Sequence, residues 1–361
     1  MILVSCFSNE RNAMCDMYKN IINAMPNKKD IVVIIPSAYE KDEFSSEFAY
    51  KIKENITSIK RKNKRLIYMA RYMYLLKKKL KSYDIKHVYF QNDVFLYNII
   101  IFFLYGKKVS YTLWLHDPIL HDGVCKRERI YRNLSIKTYF KTMKKFIISY
   151  HAAFNLIDEK NPLNAYKSDM CVLQLPQMPE LEFPEIKNTK DTYLYDFIFF
   201  GRIEIYKGLE LFLDAFKNIF SKKLLIVGTG NDEAKITEMI SGDERITFIN
   251  QYVTNQELAR FIKSAKCVVL PYKSATGSQT VSIANYYNRM VLATKVGCFP
   301  EYIEEGKNGF FIEDYTVDAM KSALEKVDYY INICTPDRIK SVYDKFDINR
   351  IAAQLYHEII S

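Results

Sequence analysis

Short apolar runs, each closed by a polar turn and followed by a segment with helical apolar spacing, recur along the whole chain. In the first half the runs fall at residues 2–8, 31–35, 87–91, 108–116, 146–150 and 171–175. They are near-continuously apolar, the pattern of strands buried on both faces of a parallel sheet. Residues 11–24 and most of 51–81 have helical spacing, and 98–105 reads as a buried helix. A Pro-containing stretch without apolar period, 175–192, separates this half from a second alternation of strands and helices. There the strands are predicted at 195–200, 224–228, 246–252, 267–272 and 291–294, and helices at 316–332, 336–346 and 349–360 close the chain. Strands alternating with helices predict two doubly wound α/β domains, the first built on six parallel strands.

Composition adds a polarity between the halves. The 361 residues fit two domains of ordinary size, with a formal net charge of +10. Residues 1–180 carry 30 Lys and Arg against 17 Asp and Glu, and residues 181–361 carry 22 against 25. The positive excess therefore lies wholly in the first half and is densest at 51–86, where Leu66, Met69, Met73, Leu76 and Leu80 recur at helical spacing among the cations. Such a helix is read either as a packed element with a solvated basic face or as one resting on anionic lipid. A nucleic-acid surface would combine basic and aromatic residues too, but no recognisable binding-module pattern accompanies it, and no nucleic acid is expected as a partner. No apolar run reaches the ~18 residues of a membrane-spanning helix. The chain enters its first strand without a basic leader, and its seven cysteines show no paired spacing, so a cytoplasmic protein with reduced thiols is expected.

The most informative stretch is Phe199-Phe200-Gly201-Arg202-Ile203-Glu204-Ile205-Tyr206-Lys207-Gly208. It sets one guanidinium and one ammonium just beyond the carboxyl end of a buried strand, where open α/β sheets bind ligands. A planar donor fork and a mobile point charge suit a diphosphate. Further on, Lys273-Ser274-Ala275-Thr276-Gly277-Ser278-Gln279-Thr280 is a small polar turn opening a helix; it suits phosphate contact, or plain capping. The turn Gly228-Thr229-Gly230 is too short for a dinucleotide fingerprint and reads as structural.

Taken with Pro271-Tyr272, Val291-Leu292-Ala293-Thr294 and Val296-Gly297-Cys298-Phe299-Pro300-Glu301, these motifs closely resemble the donor domain of glycosyltransferase family 4, in the branch with a Ser-Ala-Thr-x-Ser turn. The likeness covers about residues 195–312 well and the first half loosely. It implies the GT-B architecture: two facing Rossmann-like domains, 1–178 for the acceptor and 195–345 for the nucleotide sugar, a linker at 179–194, and a C-terminal helix, 346–361, returning to the first domain. It also implies a retaining, metal-independent transfer of a sugar from a nucleoside diphosphate to an acceptor hydroxyl, without a bound cofactor, as in bacterial surface polysaccharide or glycolipid synthesis. The acceptor would be a glycan or lipid-linked, and the protein peripheral on an anionic membrane surface at the inner face of the cell membrane.

Carried over residue by residue, the resemblance makes Arg202 and Lys207 the cations on the donor diphosphate. It places Gly201, Gly277, Ser278, Gln279, Thr280 and the backbone near Val253 around the donor. His116 and Asp117, in His116-Asp117-Pro118-Ile119-Leu120-His121, match a motif that contacts the sugar or acceptor, although a strand-end His is often structural. The glycine pair expected in the first turn is replaced by Ser8-Asn9-Glu10-Arg11, leaving Asn9 or Arg11 as substitutes. Two glutamates usual in the family are replaced by Ala275 and Ile283, so the holding of ribose and sugar hydroxyls stays open, as does the choice of base. The readings kept beside this one are a nucleotide-sugar epimerase on the same fold, an inactive scaffold and, last, nucleic-acid binding by the basic first half.

Overall fold

The computed structural model describes residues 1–6, 13–53, 65–116, 118, 126–177 and 193–361. They form two compact units, Met1–Pro176 with Ile348–Ser361, and Gln177–Asp347. Most of the Pro-containing stretch between them, 178–192, lies outside the described residues.

In the first unit β1 (Ile2–Ser5), β2 (Ile31–Ile35), β3 (Tyr50–Lys53), β4 (His87–Phe90), β5 (Ser110–Leu115), β6 (Lys145–Ile148) and β7 (Met170–Val172) form one sheet, in the order β3-β2-β1-β4-β5-β6-β7. Every pairing is parallel. The sheet has seven strands rather than the expected six, because Tyr50-Lys51-Ile52-Lys53 is a strand and not the start of a helix. Ile52 is buried, while Lys51 reaches the carbonyls of Lys41 and Phe44 and Lys53 pairs with Glu40. A short, cationic edge strand of this kind blocks further pairing and hides its strand character from an apolar-run reading.

The helices of this unit are α1 (Ala13–Ala24), α2 (Arg65–Leu80), α3 (Phe95–Tyr105), α4 (Lys126–Thr138) and α5 (Ala152–Leu156). Right-handed crossovers put α1 on one face of the sheet and α2, α3 and α4 on the other. The contacts agree: α2 packs on α3 and α3 on α4, while α1 packs on α14 (Ile348–Ile360) at the far end of the chain. The segment expected to be a buried helix at 98–105 is α3, but Phe103 within it is exposed.

In the second unit β8 (Tyr195–Phe200), β9 (Leu224–Val227), β10 (Ile246–Ile249), β11 (Ala265–Leu270), β12 (Met290–Thr294) and β13 (Gly309–Ile312) form a parallel sheet in the order β10-β9-β8-β11-β12-β13. Between and after them run α6 (Leu209–Phe216), α7 (Glu233–Met239), α8 (Asn255–Lys263), α9 (Thr280–Tyr286), α10 (Phe299–Tyr302), α11 (Val317–Glu325), α12 (Val327–Ile333) and α13 (Pro336–Tyr343). The chain winds outward from β8 to β10, then returns to β11 and winds the other way. The carboxyl ends of β8 and β11 are therefore the switch point, where the following loops diverge and leave a crevice.

α14 belongs to the first unit because of its apolar stripe. Ile348, Ile351, Ala352, Leu355 and Ile359 are buried, against α1 and the strands β4 and β5. Lys145 Nζ holds Glu358 at 2.5 Å near its end. Leu355→Ala, at a fully buried position, is expected to cost about 2–5 kcal/mol as a core truncation, read as a lowered urea midpoint.

Candidate functional site

The switch point of the second unit gathers Gly201, Arg202, Lys207 and the turn from Gly277 to Thr280. β8 ends at Gly201, whose φ of 111° and N–H bond to the carbonyl of Val227 turn the chain sharply. A Cβ on Gly201 would lie 2.8 Å from Lys207 Nζ, so glycine leaves the room the ammonium occupies. On the neighbouring loop, a Cβ on Gly228 would meet the carbonyl oxygen of Gly201 at 2.0 Å. The Gly228–Gly230 turn thus presses directly onto the Gly201–Ile203 backbone, which explains those glycines structurally.

Arg202 is exposed, and among the described residues no carboxylate forms an ion pair with it or with Lys207. Lys207 is buried, yet its Nζ sits 5.8 Å from the Phe199 ring centroid and 5.2 Å from that of Tyr272. Aromatic faces are the compensation a desolvated ammonium finds when it has no anion. Its pKa is lowered from 10.5, first by desolvation and also by Arg202, against raising contributions from Tyr206 and Glu204. The site therefore holds an unneutralised positive charge at energetic cost.

The loop after β11 is locked to this one. Lys273 N–H donates to the carbonyl of Tyr206 at 2.7 Å. Gly208 adopts a φ of 66° and approaches so closely that a Cβ there would fall 2.0 Å from the carbonyl oxygen of Pro271. Tyr272 joins both loops: its ring seats Lys207 and meets Tyr206 edge-on, and its hydroxyl faces Thr280 and Ser278. Burial pushes that hydroxyl up to about 12. Ser278 Oγ donates to Thr280 Oγ1 at 2.9 Å and accepts from Thr280 N–H at 3.2 Å, so its hydroxyl shapes the turn. The N–H groups of Gly277 and Ser278 make no hydrogen bond among the described residues. Since α9 has only seven residues, these N–H groups, rather than a helix dipole, are what this loop could offer an anion. Gln279 is buried and Val253 half-buried, the latter beyond β10 on the far side of β9.

Ala275 and Ile283 are both buried. A Cβ on Gly297 would lie 1.6 Å from the Ala275 carbonyl oxygen, and Cys298 N–H donates to that oxygen. Gly297 and Cys298 thus pack against the backbone of Ala275. Tyr272 was not among the expected site residues; its seating of Lys207 is tertiary, and only the Pro-Tyr pair after a buried strand hinted at it.

In the first unit His116 follows β5 and is half-buried, with Nδ1 3.5 Å from Ser149 Oγ, which accepts from Trp114 Nε1. Ser5 ends β1 and Gln91 directly follows β4, both unanticipated from sequence and fully buried; among the described residues Ser5 Oγ makes no hydrogen bond, and the Gln91 amide faces the buried Tyr89 hydroxyl. Asp117, Asn9 and Arg11 lie outside the described residues. Among the described residues no cluster of three His, Cys, Asp or Glu has metal-holding geometry.

The comparisons with known proteins fall on the same unit. A family model described as glycosyl transferases group 1 matches residues 195–327. A GDP-mannose:glycolipid 4-beta-D-mannosyltransferase of Xanthomonas campestris pv. campestris is 33% identical over 99 residues, 26% of this chain and 28% of the relative. The chain thus matches little more than a quarter of that relative's length. Solved structures match across both units. HepE of Anabaena, in complex with UDP, has a TM-score of 0.69 at 14% identity, covering 99% of this chain and 98% of its own. Sucrose-phosphate synthase from Thermosynechococcus elongatus has a TM-score of 0.70 at 13% identity, covering 100% and 99%. The lipopolysaccharide outer core galactosyltransferase WaaB has a TM-score of 0.65 at 15% identity, covering 100% and 99%. The fold is the two-domain α/β GT-B fold.

The lowered pKa of Lys207 has a consequence for the free protein. The unfolded chain binds this proton more tightly, so stability rises with pH between the folded-state value and 10.5, and is lost as pH falls through the folded-state value. Lys207→Met is expected to raise the melting temperature near neutral pH, by about 2–4 °C for each kcal/mol recovered. It should also shrink the gain in stability between neutral pH and pH ~10. A lower melting temperature would contradict the unneutralised charge.

Proposed function

We propose that this chain is a retaining glycosyltransferase that moves a sugar from a nucleoside diphosphate to a hydroxyl of a glycan or glycolipid, in surface polysaccharide or glycolipid assembly. The observation that carries the reading is a pair of cations, Arg202 and buried Lys207, without counter-ions among the described residues, with Lys207 seated on Tyr272 beside a loop whose Gly277 and Ser278 N–H donors are unused there. Four positive or donor groups without an internal acceptor suit a diphosphate. The matched family model over residues 195–327 and the glycolipid mannosyltransferase that resembles this unit support the same substrate class.

In this reading the anomeric C–O bond breaks and its electron pair stays on the diphosphate, which gains a negative charge as it leaves. Arg202 and Lys207 stabilise that charge as it develops, without a metal ion, and the anion in turn repays the desolvation of Lys207. The acceptor oxygen attacks from the face the diphosphate leaves, and its proton passes to the departing phosphate oxygen. Configuration is retained, and no strong protein base is required. The first unit supplies the acceptor site, with His116 positioned to hydrogen-bond a hydroxyl there.

Purified Arg202→Ala and Lys207→Ala are each expected to lower kcat about a hundredfold or more, the loss of one charge-stabilising group. Both should keep the wild-type far-UV circular dichroism. Because the base is unassigned, UDP, GDP and ADP are compared by thermal shift; one of them at 100 Kd adds about 2.7 kcal/mol to the wild type and much less to either variant. Near-normal turnover in a variant would remove that residue from the reaction, and no shift with any nucleotide would overturn the donor reading.

A further inference from the structure

The register of β5 and β6 brings three polar side chains together at the carboxyl end of the first unit's sheet. Trp114 lies in β5 and His116 directly follows it, two residues on and so on the same face. Leu115 pairs with Ile148, and one step further His116 comes beside Ser149. α1 covers this face, with the Trp114 ring 6.3 Å from that of Tyr18. Trp114 and Ser149 are fully buried and His116 is half-buried.

The chemistry of this row has a direction. An indole N–H can only donate, and Trp114 Nε1 gives its hydrogen to Ser149 Oγ at 3.0 Å. A hydroxyl that accepts a hydrogen bond is polarised into a better donor, because bonds in a chain strengthen one another in a low-dielectric interior. It is also a poorer second acceptor, since part of its lone-pair density is engaged. The next atom in line is His116 Nδ1, 3.5 Å from Ser149 Oγ.

We infer that Ser149 donates onward to His116 Nδ1 and so holds the ring as the Nε2–H tautomer, making Ser149 a positioning residue and His116 a hydrogen-bond donor. A neutral imidazole carries one hydrogen, and a lone pair on Nδ1 puts it on Nε2, at the far corner of the ring from Ser149. The inference rests on the proposed transfer for its substrate. Open α/β sheets bind ligands at the carboxyl ends of their strands, and there an Nε2–H donates to a sugar or acceptor oxygen. Without a lone pair on Nε2 the ring cannot take the hydroxyl's proton, in keeping with a reaction in which the departing phosphate takes it. The opposite tautomer, with Nδ1–H donated to Ser149 and a bare Nε2, would make His116 a candidate general base. Were the row only a means of satisfying the Trp114 indole, the tautomer of His116 would not depend on Ser149.

The test reads the tautomer in the free protein, so its failure and the failure of the transferase reading are separate results. Protein labelled with 15N-histidine is studied by long-range proton–nitrogen correlation at about pH 8.5, two units above an ordinary histidine pKa. The His116 signals are those missing from His116→Gln, and they are expected to show a bare Nδ1 and a protonated Nε2. A bond donated to Nδ1 favours the neutral ring, so Ser149→Ala should raise the His116 pKa in an NMR titration. Ser149→Thr keeps the hydroxyl and should keep the wild-type pKa. With a nucleotide sugar that the wild type turns over, Ser149→Ala is expected to lower kcat about tenfold, as the loss of one hydrogen bond, and Ser149→Thr to restore it. A protonated Nδ1 in the wild type, or a His116 pKa that falls or stays unchanged in Ser149→Ala, would overturn the proposal. The wild-type tautomer decides the matter even if Ser149→Ala fails to fold.

Discussion

A lysine ammonium buried against two aromatic rings, with no carboxylate to neutralise it, sets the terms for the second unit. Burying a charge without a partner is among the more costly things a fold can do. The structure around Lys207 keeps that cost bearable without removing it. Phe199 and Tyr272 offer their ring faces, Gly201 clears the space beside Nζ, and Glu204 stays close enough to act through the field but is engaged by Asn231. The charge is left available for an anion from outside. A site that is strained when empty binds its ligand with part of the electrostatic work already done.

That arrangement requires the loops after β8 and β11 to be placed as one piece, and backbone contacts do it. Gly208 lies against Pro271, Gly228 against Gly201 and Gly297 against Ala275, each too closely for a side chain. The Lys273–Tyr206 hydrogen bond closes the set. These contacts hold the backbone that carries Lys207 against the loop that carries Gly277 and Ser278.

How much of this was readable from sequence follows from what each feature depends on. That Arg202 and Lys207 follow the carboxyl end of β8 was legible, because the apolar strand and the short Gly-Arg to Lys-Gly spacing all lie within a dozen residues. The parallel sheets were legible for the same reason, each central strand being a continuous apolar run. β3 was not, since Tyr50-Lys51-Ile52-Lys53 earns its place by edge pairing to β2; nor was β13, whose glycine start reads as a turn. Tyr272 could not be found because its partners are far away in sequence. The open donors of Gly277 and Ser278 belong to the backbone and leave no mark on residue type. The basic character of the first half was plain.

The central claim, that the charge at Lys207 awaits a diphosphate, is tested most directly by a crystal structure of the protein with a bound nucleoside diphosphate. The account predicts phosphate oxygens within hydrogen-bond distance of Arg202, Lys207 Nζ and the N–H groups of Gly277 and Ser278, with the two loops unmoved. Phosphates seated on the Gly228–Gly230 turn, with Lys207 still enclosed by its rings and touching no oxygen, would contradict it.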